Sequence, residues 1–163
     1  MTAIAATVKS FFTDRLTNQR CASEHTIAAY RDTLRLLVTF IADRSGTPPS
    51  RLGWTDLNAD AIVSFLAHLE TDRHNSPRTR NARLTAIRSL YSYAALRHPE
   101  HAALIAQVLS IPPKRFDRAT VSLLDEDQAA ALLAAPDRST WVVRRDHALI
   151  ALAIQTGLRI SEL

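Results

Sequence analysis

The sequence contains 163 residues with a formal net charge of +4, and 47% of its residues are hydrophobic. This length and apolar content exclude an intrinsically disordered chain and suffice for one domain or two small ones. The single cysteine, Cys21, excludes an intramolecular disulfide and fits a reducing cytoplasm, and the longest mostly apolar stretch, Ala148 to Ile154, is far too short to span a bilayer.

The spacing of apolar residues predicts an almost entirely helical chain, because they recur at intervals of three and four and only three glycines are present. A first helix is expected over residues 4–17. A second follows the N-cap candidate Ser23 and ends before Gly46, and a third begins near the N-cap candidate Asn58. Between the second and third helices, residues 45–54 contain the glycine and proline that predict a loop.

The later helices are predicted by their capping residues. Ser76 and Pro77 suit the N-cap and the first position of a fourth helix. A short fifth helix is expected over residues 100–109. Asp125 then caps a sixth helix, and Gln128 completes the pattern of a capping box.

A basic, proline-containing stretch without helical periodicity, residues 111–120, predicts a linker. The chain up to the end of this stretch carries 16 basic and 10 acidic residues, whereas the remainder carries 4 and 6. The change of sign supports a domain boundary at this point. We therefore predict a first domain over residues 1–112, a linker over 113–122 and a second domain over 123–163, with a short strand at 121–123.

Arginine accounts for 18 of the 20 basic residues, and guanidinium groups bind phosphate oxygens in pairs, so the composition favours a nucleic-acid partner. The alternative is a codon preference for arginine with solvated charges. On the fourth helix we expect Thr79, Arg80 and Arg83 to group on the side opposite Ile87 and Leu90. This side and the helix N-terminus, which favours anions, predict contact with phosphates. The alternative is an ordinary solvated helix face.

The last long helix is expected from Val143 to Gln155, with Gly157 as its left-handed end. Arg159 then begins a new helical turn. Glu162 lies three positions further on, within reach of Arg159, so the physical interpretation alone is a surface ion pair of little energetic value. The sequence shows neither a phosphate-binding glycine loop nor a spacing typical of a metal site, so we expect no cofactor and no metal.

The final segment resembles the first arginine motif of the tyrosine recombinase (phage integrase) family. The shared pattern is an apolar helix, then Thr-Gly-Leu-Arg, a small or apolar residue and Ser-Glu-Leu, matched at residues 156–159 and 161–163. Three upstream segments resemble parts of the family's core-binding domain and the start of its catalytic domain, in the family's order, at residues 23–41, 81–94 and 121–135.

The resemblance implies an all-α fold, in which a SAM-like core-binding bundle of four to five helices precedes the truncated, α-rich beginning of a catalytic domain. It also implies site-specific DNA strand exchange through a 3′-phosphotyrosyl intermediate, without metal or other cofactor. In this chemistry Arg159 would clamp the scissile phosphate and Glu162 would orient the site. The expected contacts with double-stranded DNA are Ser23, Thr26, Arg78, Thr79, Arg80, Arg83, Lys114, Arg115 and Arg118.

The family's other catalytic groups are a lysine on a β-hairpin, a His-x-x-Arg motif, a further His or Trp and the tyrosine nucleophile, all expected beyond Leu163. Tyr30, Tyr91 and Tyr93 lie in other motifs, so no nucleophile is assigned. We expect this chain to bind DNA without cleaving it, in the bacterial cytoplasm at the nucleoid, alone or beside other recombinase protomers. Two alternatives stay open, a stand-alone DNA-binding regulator or competitor of a full recombinase, and a helical protein-interaction module.

Overall fold

The computed structural model describes residues 3–117, 123–136 and 139–162, and within them every regular element is helical. The all-α prediction is therefore confirmed, while the predicted strand at 121–123 lies, apart from Leu123, outside the described residues. The α-helices, in chain order, are α1 (Ala3–Ser10), α2 (Glu24–Ser45), α3 (Ala59–Thr71), α4 (Pro77–Ala95), α5 (Ala102–Ser110), α6 (Glu126–Ala134) and α7 (Trp141–Thr156). Shorter elements are a π-helical segment over Phe11–Gln19 and single 3₁₀ turns at Pro49–Arg51, Pro99–His101 and Ile160–Glu162.

Contacts divide the chain into two compact units, Met1–Asp117 and Arg118–Leu163. The domain limits proposed from sequence stay a prediction. The first unit has a continuous apolar core to which α1 to α5 and the π-helical segment contribute. In the second unit, no described residue of α6 or α7 is fully buried.

The helix starts follow the capping residues that the sequence predicts. Each capping side chain accepts a hydrogen bond from a backbone N–H three residues later, which satisfies one of the unpaired donors of the first turn. The acceptors are Ser23 in α2, Asn58 in α3, Ser76 in α4 and Asp125 in α6, where Gln128 completes the predicted capping box. Thr140 caps α7 in the same way, and the helix begins at Trp141, two residues before the start predicted from sequence.

The first predicted helix differs from the structure, because it changes to π-helical winding after Ser10. In this winding, hydrogen bonds join residues five apart, as in the bond from the Arg20 N–H to the Arg15 carbonyl at 3.0 Å. Residues five apart therefore share one side of the helix. Phe11 and Leu16 both enter the core, where they are 0% and 1% exposed.

Tyr91, one of the three tyrosines that the sequence does not favour as a nucleophile, belongs to the core. Its ring is fully buried, and its hydroxyl donates a hydrogen bond to the Leu57 carbonyl. Burial raises the pKa of this hydroxyl above its usual value, because the phenolate form would lose its hydration. Tyr91 therefore ties α4 to the loop before α3 as a structural residue.

Candidate nucleic-acid interface

The first turns of α2 and α4 border one cleft, which we call the α2–α4 cleft. Its lining from α2 and α4 comprises His25, Thr26, Ala29, Tyr30, Asp32, Thr33, Thr79, Ala82, Arg83 and Ala86. Two helix N-termini thus open beside the same concavity. Each N-terminus carries a partial positive charge, so the cleft is suited to an anion.

The same hydroxyl arrangement occurs at both helix starts. Ser23 Oγ lies 3.0 Å from Thr26 Oγ1, and Ser76 Oγ lies 3.1 Å from Thr79 Oγ1. In each pair the serine also accepts the backbone N–H of the threonine, at 3.3 Å for Thr26 and 3.2 Å for Thr79. Ser23, Thr26 and Thr79 are among the DNA contacts predicted from sequence, whereas Ser76 was predicted only as an N-cap. Thr26 and Thr79 both line the α2–α4 cleft.

Arg83 lines this cleft, and Arg78 directly precedes the lining residue Thr79, but the two arginines differ in exposure and pairing. Arg78, in the first turn of α4, is exposed and has no ion pair among the described residues. Arg83 instead bridges the two helices, since its Nη1 lies 3.0 Å from Asp32 Oδ2 and 3.3 Å from Thr33 Oγ1. Hydrogen bonds from Arg35 and then from Arg83 hold the pKa of the Asp32 carboxyl below its ordinary value.

Arg80 does not lie on the outer face of α4, and the helical-wheel expectation for it is wrong. The residue is only 7% exposed, and its Nη1 donates to the Pro112 carbonyl at 3.2 Å. Its Nε lies 3.9 Å from Glu70 Oε2. Because seven residues make two helical turns, Arg80 shares the face of Ile87 rather than opposing it. Arg83, four residues before Ile87, lies at the edge of the same face.

The basic residues after α5 are divided between paired and exposed positions. Lys114 Nζ lies 2.9 Å from Glu70 Oε2, so its charge is compensated within the bundle. Arg115 is exposed and has no ion pair among the described residues. Arg118 lies outside the described residues.

A second concavity, which we call the arginine cleft, contains basic residues that the sequence analysis did not assign. It is lined by Arg15, Arg20, Tyr30, Thr85, Arg88, Ser89, Ser92 and Tyr93. The position of Arg88 could have been found from sequence. Polar side chains recur at intervals of three and four residues from Arg78 to Ser92, and this pattern defines the outer face of α4. No sequence signal indicated that the π-helical segment contributes Arg15 and Arg20.

The Arg159 motif in the second unit is built by local hydrogen bonds. Helix α7 ends at Gly157, whose φ of 66° is left-handed, as the sequence predicts. The Arg159 N–H donates to Glu162 Oε2 at 2.8 Å, and Arg159 Nη1 lies 3.5 Å from Glu162 Oε1. The Arg159 side chain is 83% exposed. Glu162 therefore contacts both the backbone and the guanidinium of Arg159. The guanidinium itself remains open to a ligand.

Within the described parts of the chain, no group of three or more His, Cys, Asp or Glu side chains could hold a metal ion. His98 has other partners, since its Nε2 lies 2.7 Å from Thr7 Oγ1 and its Nδ1 lies 3.0 Å from Glu100 Oε1. Among the same described residues, none of the helices has the length and apolar character needed to cross a membrane.

Comparison with known proteins identifies the class. The family model for the phage integrase N-terminal SAM-like domain matches residues 9–98, and this chain belongs to the phage integrase, or tyrosine recombinase, family. Two relatives from Sinorhizobium fredii are named as integrase/recombinase proteins, y4rC and y4rD. The first is 53% identical over 161 residues, covering 99% of this chain and 48% of the relative, and the second is 40% identical over 159 residues, covering 98% and 57%.

A third relative is the tyrosine recombinase XerC of Rhodospirillum centenum, 34% identical over 151 residues, which cover 90% of this chain and 43% of the relative. The chain thus spans about half the length of the curated relatives it matches. No solved structure matches it.

Proposed function

We propose that this chain is the DNA-binding portion of a tyrosine recombinase and that it holds duplex DNA at the α2–α4 cleft. The observation that carries the proposal is the opening of two capped helix N-termini beside one cleft, with Arg78, which has no ion pair within the described ranges, in the first turn of α4. Membership of a recombinase family supports a DNA ligand rather than another polyanion.

In this proposal the phosphate backbone is bound by hydroxyl groups, helix termini and the guanidinium of Arg78. Ser23, Thr26, Ser76 and Thr79 supply hydroxyls, and Arg78 supplies a planar donor that fits two phosphate oxygens. Arg83 has a positioning role, because its hydrogen bonds to α2 fix the separation of the two helices. Contacts of this kind place the protein on the duplex without selecting a base sequence.

We assign to Arg159 the phosphate-clamping role that the recombinase chemistry requires. Phosphoryl transfer places negative charge on the non-bridging oxygens, and a fixed guanidinium stabilises that charge in the transition state. Glu162 acts as a positioning residue, because its carboxylate holds both the N–H and the guanidinium of Arg159. The same contacts from Glu162 limit the rotamers of the exposed Arg159 side chain.

Fluorescence anisotropy with a labelled DNA duplex, measured at several salt concentrations, tests the binding proposal. The logarithm of affinity should fall linearly with the logarithm of salt concentration, by about 0.9 for each phosphate neutralised. Arg78→Ala should reduce this slope by about 0.9. Arg51→Ala is the matched control, because it removes one exposed arginine from the loop before α3 and should leave the slope near that of the wild type. Equal slopes for both variants would contradict the assigned face.

A suicide DNA substrate tests the catalytic side of the proposal. Residues 1–163 contain no His-x-x-Arg motif and no tyrosine after Arg159, so this chain alone should bind the substrate without forming a covalent adduct. A protein–DNA adduct that survives denaturing electrophoresis would show that a nucleophile lies within these residues.

A further inference from the structure

We propose that the arginine cleft is a second phosphate-binding site, which holds the DNA backbone outside the α2–α4 cleft. This inference rests on the proposed function. It extends the proposed DNA-contact surface from the start of α4 to the far half of that helix. It assigns a binding role to Arg15, Arg20 and Arg88, which come from the π-helical segment and from α4.

The π-helical winding aligns two of these arginines. Arg15 and Arg20 are five residues apart, and the Arg20 N–H donates to the Arg15 carbonyl at 3.0 Å. In an α-helix, side chains five apart diverge, whereas here both side chains line the same cleft. The Thr17 hydroxyl reinforces this winding, since it donates to the Phe12 carbonyl at 2.9 Å. Segments of π-helix are frequent at functional sites.

The three guanidinium groups have no carboxylate partner among the described residues. Arg15 Nη1 donates to Gln19 Oε1 at 3.2 Å, and that acceptor is neutral. Arg20 and Arg88 form no ion pair in the described parts of the chain. Three like charges around one concavity repel each other, so a bound anion lowers the electrostatic free energy of the cleft. This arrangement differs from Arg83 and Lys114, which are both neutralised by carboxylates of the bundle.

The cleft also contains neutral hydrogen-bond donors. Ser89 and Ser92 contribute hydroxyl donors from α4, whereas the Thr85 hydroxyl, also in the lining, already donates to the Asn81 carbonyl at 3.0 Å. Tyr93, which lines the same cleft, is only 6% exposed, and its buried hydroxyl has no hydrogen-bond partner among the residues that the structure describes. A buried hydroxyl without a partner is costly, and this one gains a phosphate oxygen as acceptor only if the lining of the cleft shifts on binding.

The two clefts are neighbours along one helix, and Tyr30 lines both of them. On α4 the lining runs from Thr79 in the first cleft to Tyr93 in the second, a length of about 20 Å at 1.5 Å per residue. Duplex DNA carries one phosphate charge for about every 1.7 Å of its axis. A duplex that follows α4 can therefore place phosphates at both clefts.

The salt dependence of duplex binding, compared between two double variants, tests this site. Arg15→Ala with Arg20→Ala removes two charges from the arginine cleft. Arg44→Ala with Arg73→Ala is the matched control, because it removes two exposed arginines that line a different concavity, between α2 and α3. We expect the first pair to reduce the log–log slope by at least about 0.9 and the control pair to leave it near the wild-type value.

The outcomes separate this inference from the proposed function. If Arg78→Ala lowers the slope but the Arg15/Arg20 pair behaves like its control, the arginine cleft has no DNA role and the α2–α4 cleft keeps its own. If the wild-type chain shows no salt-dependent binding to the duplex, both proposals fail.

A titration with inorganic phosphate provides a second test, in which the side-chain NMR signals of Arg88 are followed in the full chain. Shifts of these signals with added phosphate, together with a reduced DNA slope in the Arg15/Arg20 variant, support a site for backbone phosphate. Shifts with an unchanged DNA slope would identify a site for a free anion and overturn the proposed DNA contact.

Discussion

Asn81 holds Lys114 by two hydrogen bonds between positions that are 33 residues apart. Its Nδ2 donates to the Lys114 carbonyl at 2.7 Å, and its Oδ1 accepts the Lys114 N–H at 2.9 Å. The neighbouring Arg80 donates to the Pro112 carbonyl. The segment that leaves α5 is therefore fixed against the beginning of α4, next to the proposed DNA-binding turn.

Asn81→Ala should release this segment. Both hydrogen bonds are lost, and because each contributes about 0.5–1.5 kcal/mol, the free energy of unfolding should fall by about 1–3 kcal/mol. Hydrogen exchange of the Lys114 amide should become faster in the variant. Asn18→Ala, at an exposed asparagine of the π-helical segment, is the control and should leave both quantities unchanged. An unaltered Lys114 exchange rate would show that the segment is held by other contacts.

The Asp32–Arg83 ion pair should contribute to stability in a pH-dependent way. Hydrogen bonds from Arg35 and Arg83 lower the pKa of Asp32 below 3.8 in the folded state. A lowered carboxyl pKa adds stability above the unfolded-state pKa, and this stability is lost as the pH falls through the folded-state pKa. Asp32→Asn should therefore destabilise the chain at pH 7, by less than about 1 kcal/mol because the pair is partly exposed to solvent.

Urea unfolding at pH 7 and at successively lower pH measures this effect. The difference between wild type and Asp32→Asn should decrease as the pH drops below about 4. Asp43→Asn, at an exposed carboxylate of the same helix, is the matched control. A difference for Asp32→Asn that is independent of pH would show that the ionised carboxylate is not what stabilises the fold.

The helix starts could be predicted from sequence because capping depends on residues close in the chain. Ser23, Asn58, Ser76 and Asp125 all cap the helices they were expected to cap. A capping side chain needs only the N–H groups two or three positions later, so no tertiary information enters. The left-handed end of α7 at Gly157 could be predicted for the same reason, because it too depends on residues close in the chain.

The environment of each arginine depends on contacts that the sequence does not show. The burial of Arg80 could have been found, since it lies two turns before the buried Ile87. Its hydrogen bond to Pro112, however, requires that α5 return the chain to α4. The convergence of Arg15 and Arg88 similarly requires both the π-helical winding and the packing of that segment on α4.

Gly46 should be sensitive to substitution because of its backbone alone. Its φ is 66°, and a Cβ atom at this position would meet no heavy atom within 4 Å. Gly46→Ala should therefore lower the free energy of unfolding by about 1 kcal/mol through left-handed strain, and Gly46→Asn by less, since asparagine tolerates this conformation. Gly53→Ala is the control, because its Cβ would make only ordinary contacts, the nearest at 3.8 Å to Asp56 Oδ2. Equal losses at Gly46 and Gly53 would contradict the strain argument.

Arg78 and Arg80, two residues apart on α4, should respond to alanine substitution in opposite ways. Arg78 is exposed and forms no ion pair in the part of the chain that the structure describes, so Arg78→Ala should change the free energy of unfolding by less than about 0.5 kcal/mol while reducing the salt slope of DNA binding. Arg80 is buried against Glu70 and the Pro112 carbonyl. Arg80→Ala should lower the free energy of unfolding by about 2–3 kcal/mol, because it leaves buried polar groups without their partner.

Below the unfolding transition, Arg80→Ala should keep the salt slope of the wild type, since its guanidinium faces the bundle rather than the solvent. Urea unfolding and anisotropy on the same preparations give both quantities for each variant. Arg80→Met serves as a second variant that fills most of the volume without the charge, and it should recover part of the lost stability. A reduced slope in folded Arg80→Met would mean that Arg80 leaves its buried position to bind DNA, and the assignment of the two arginines to separate roles would be wrong.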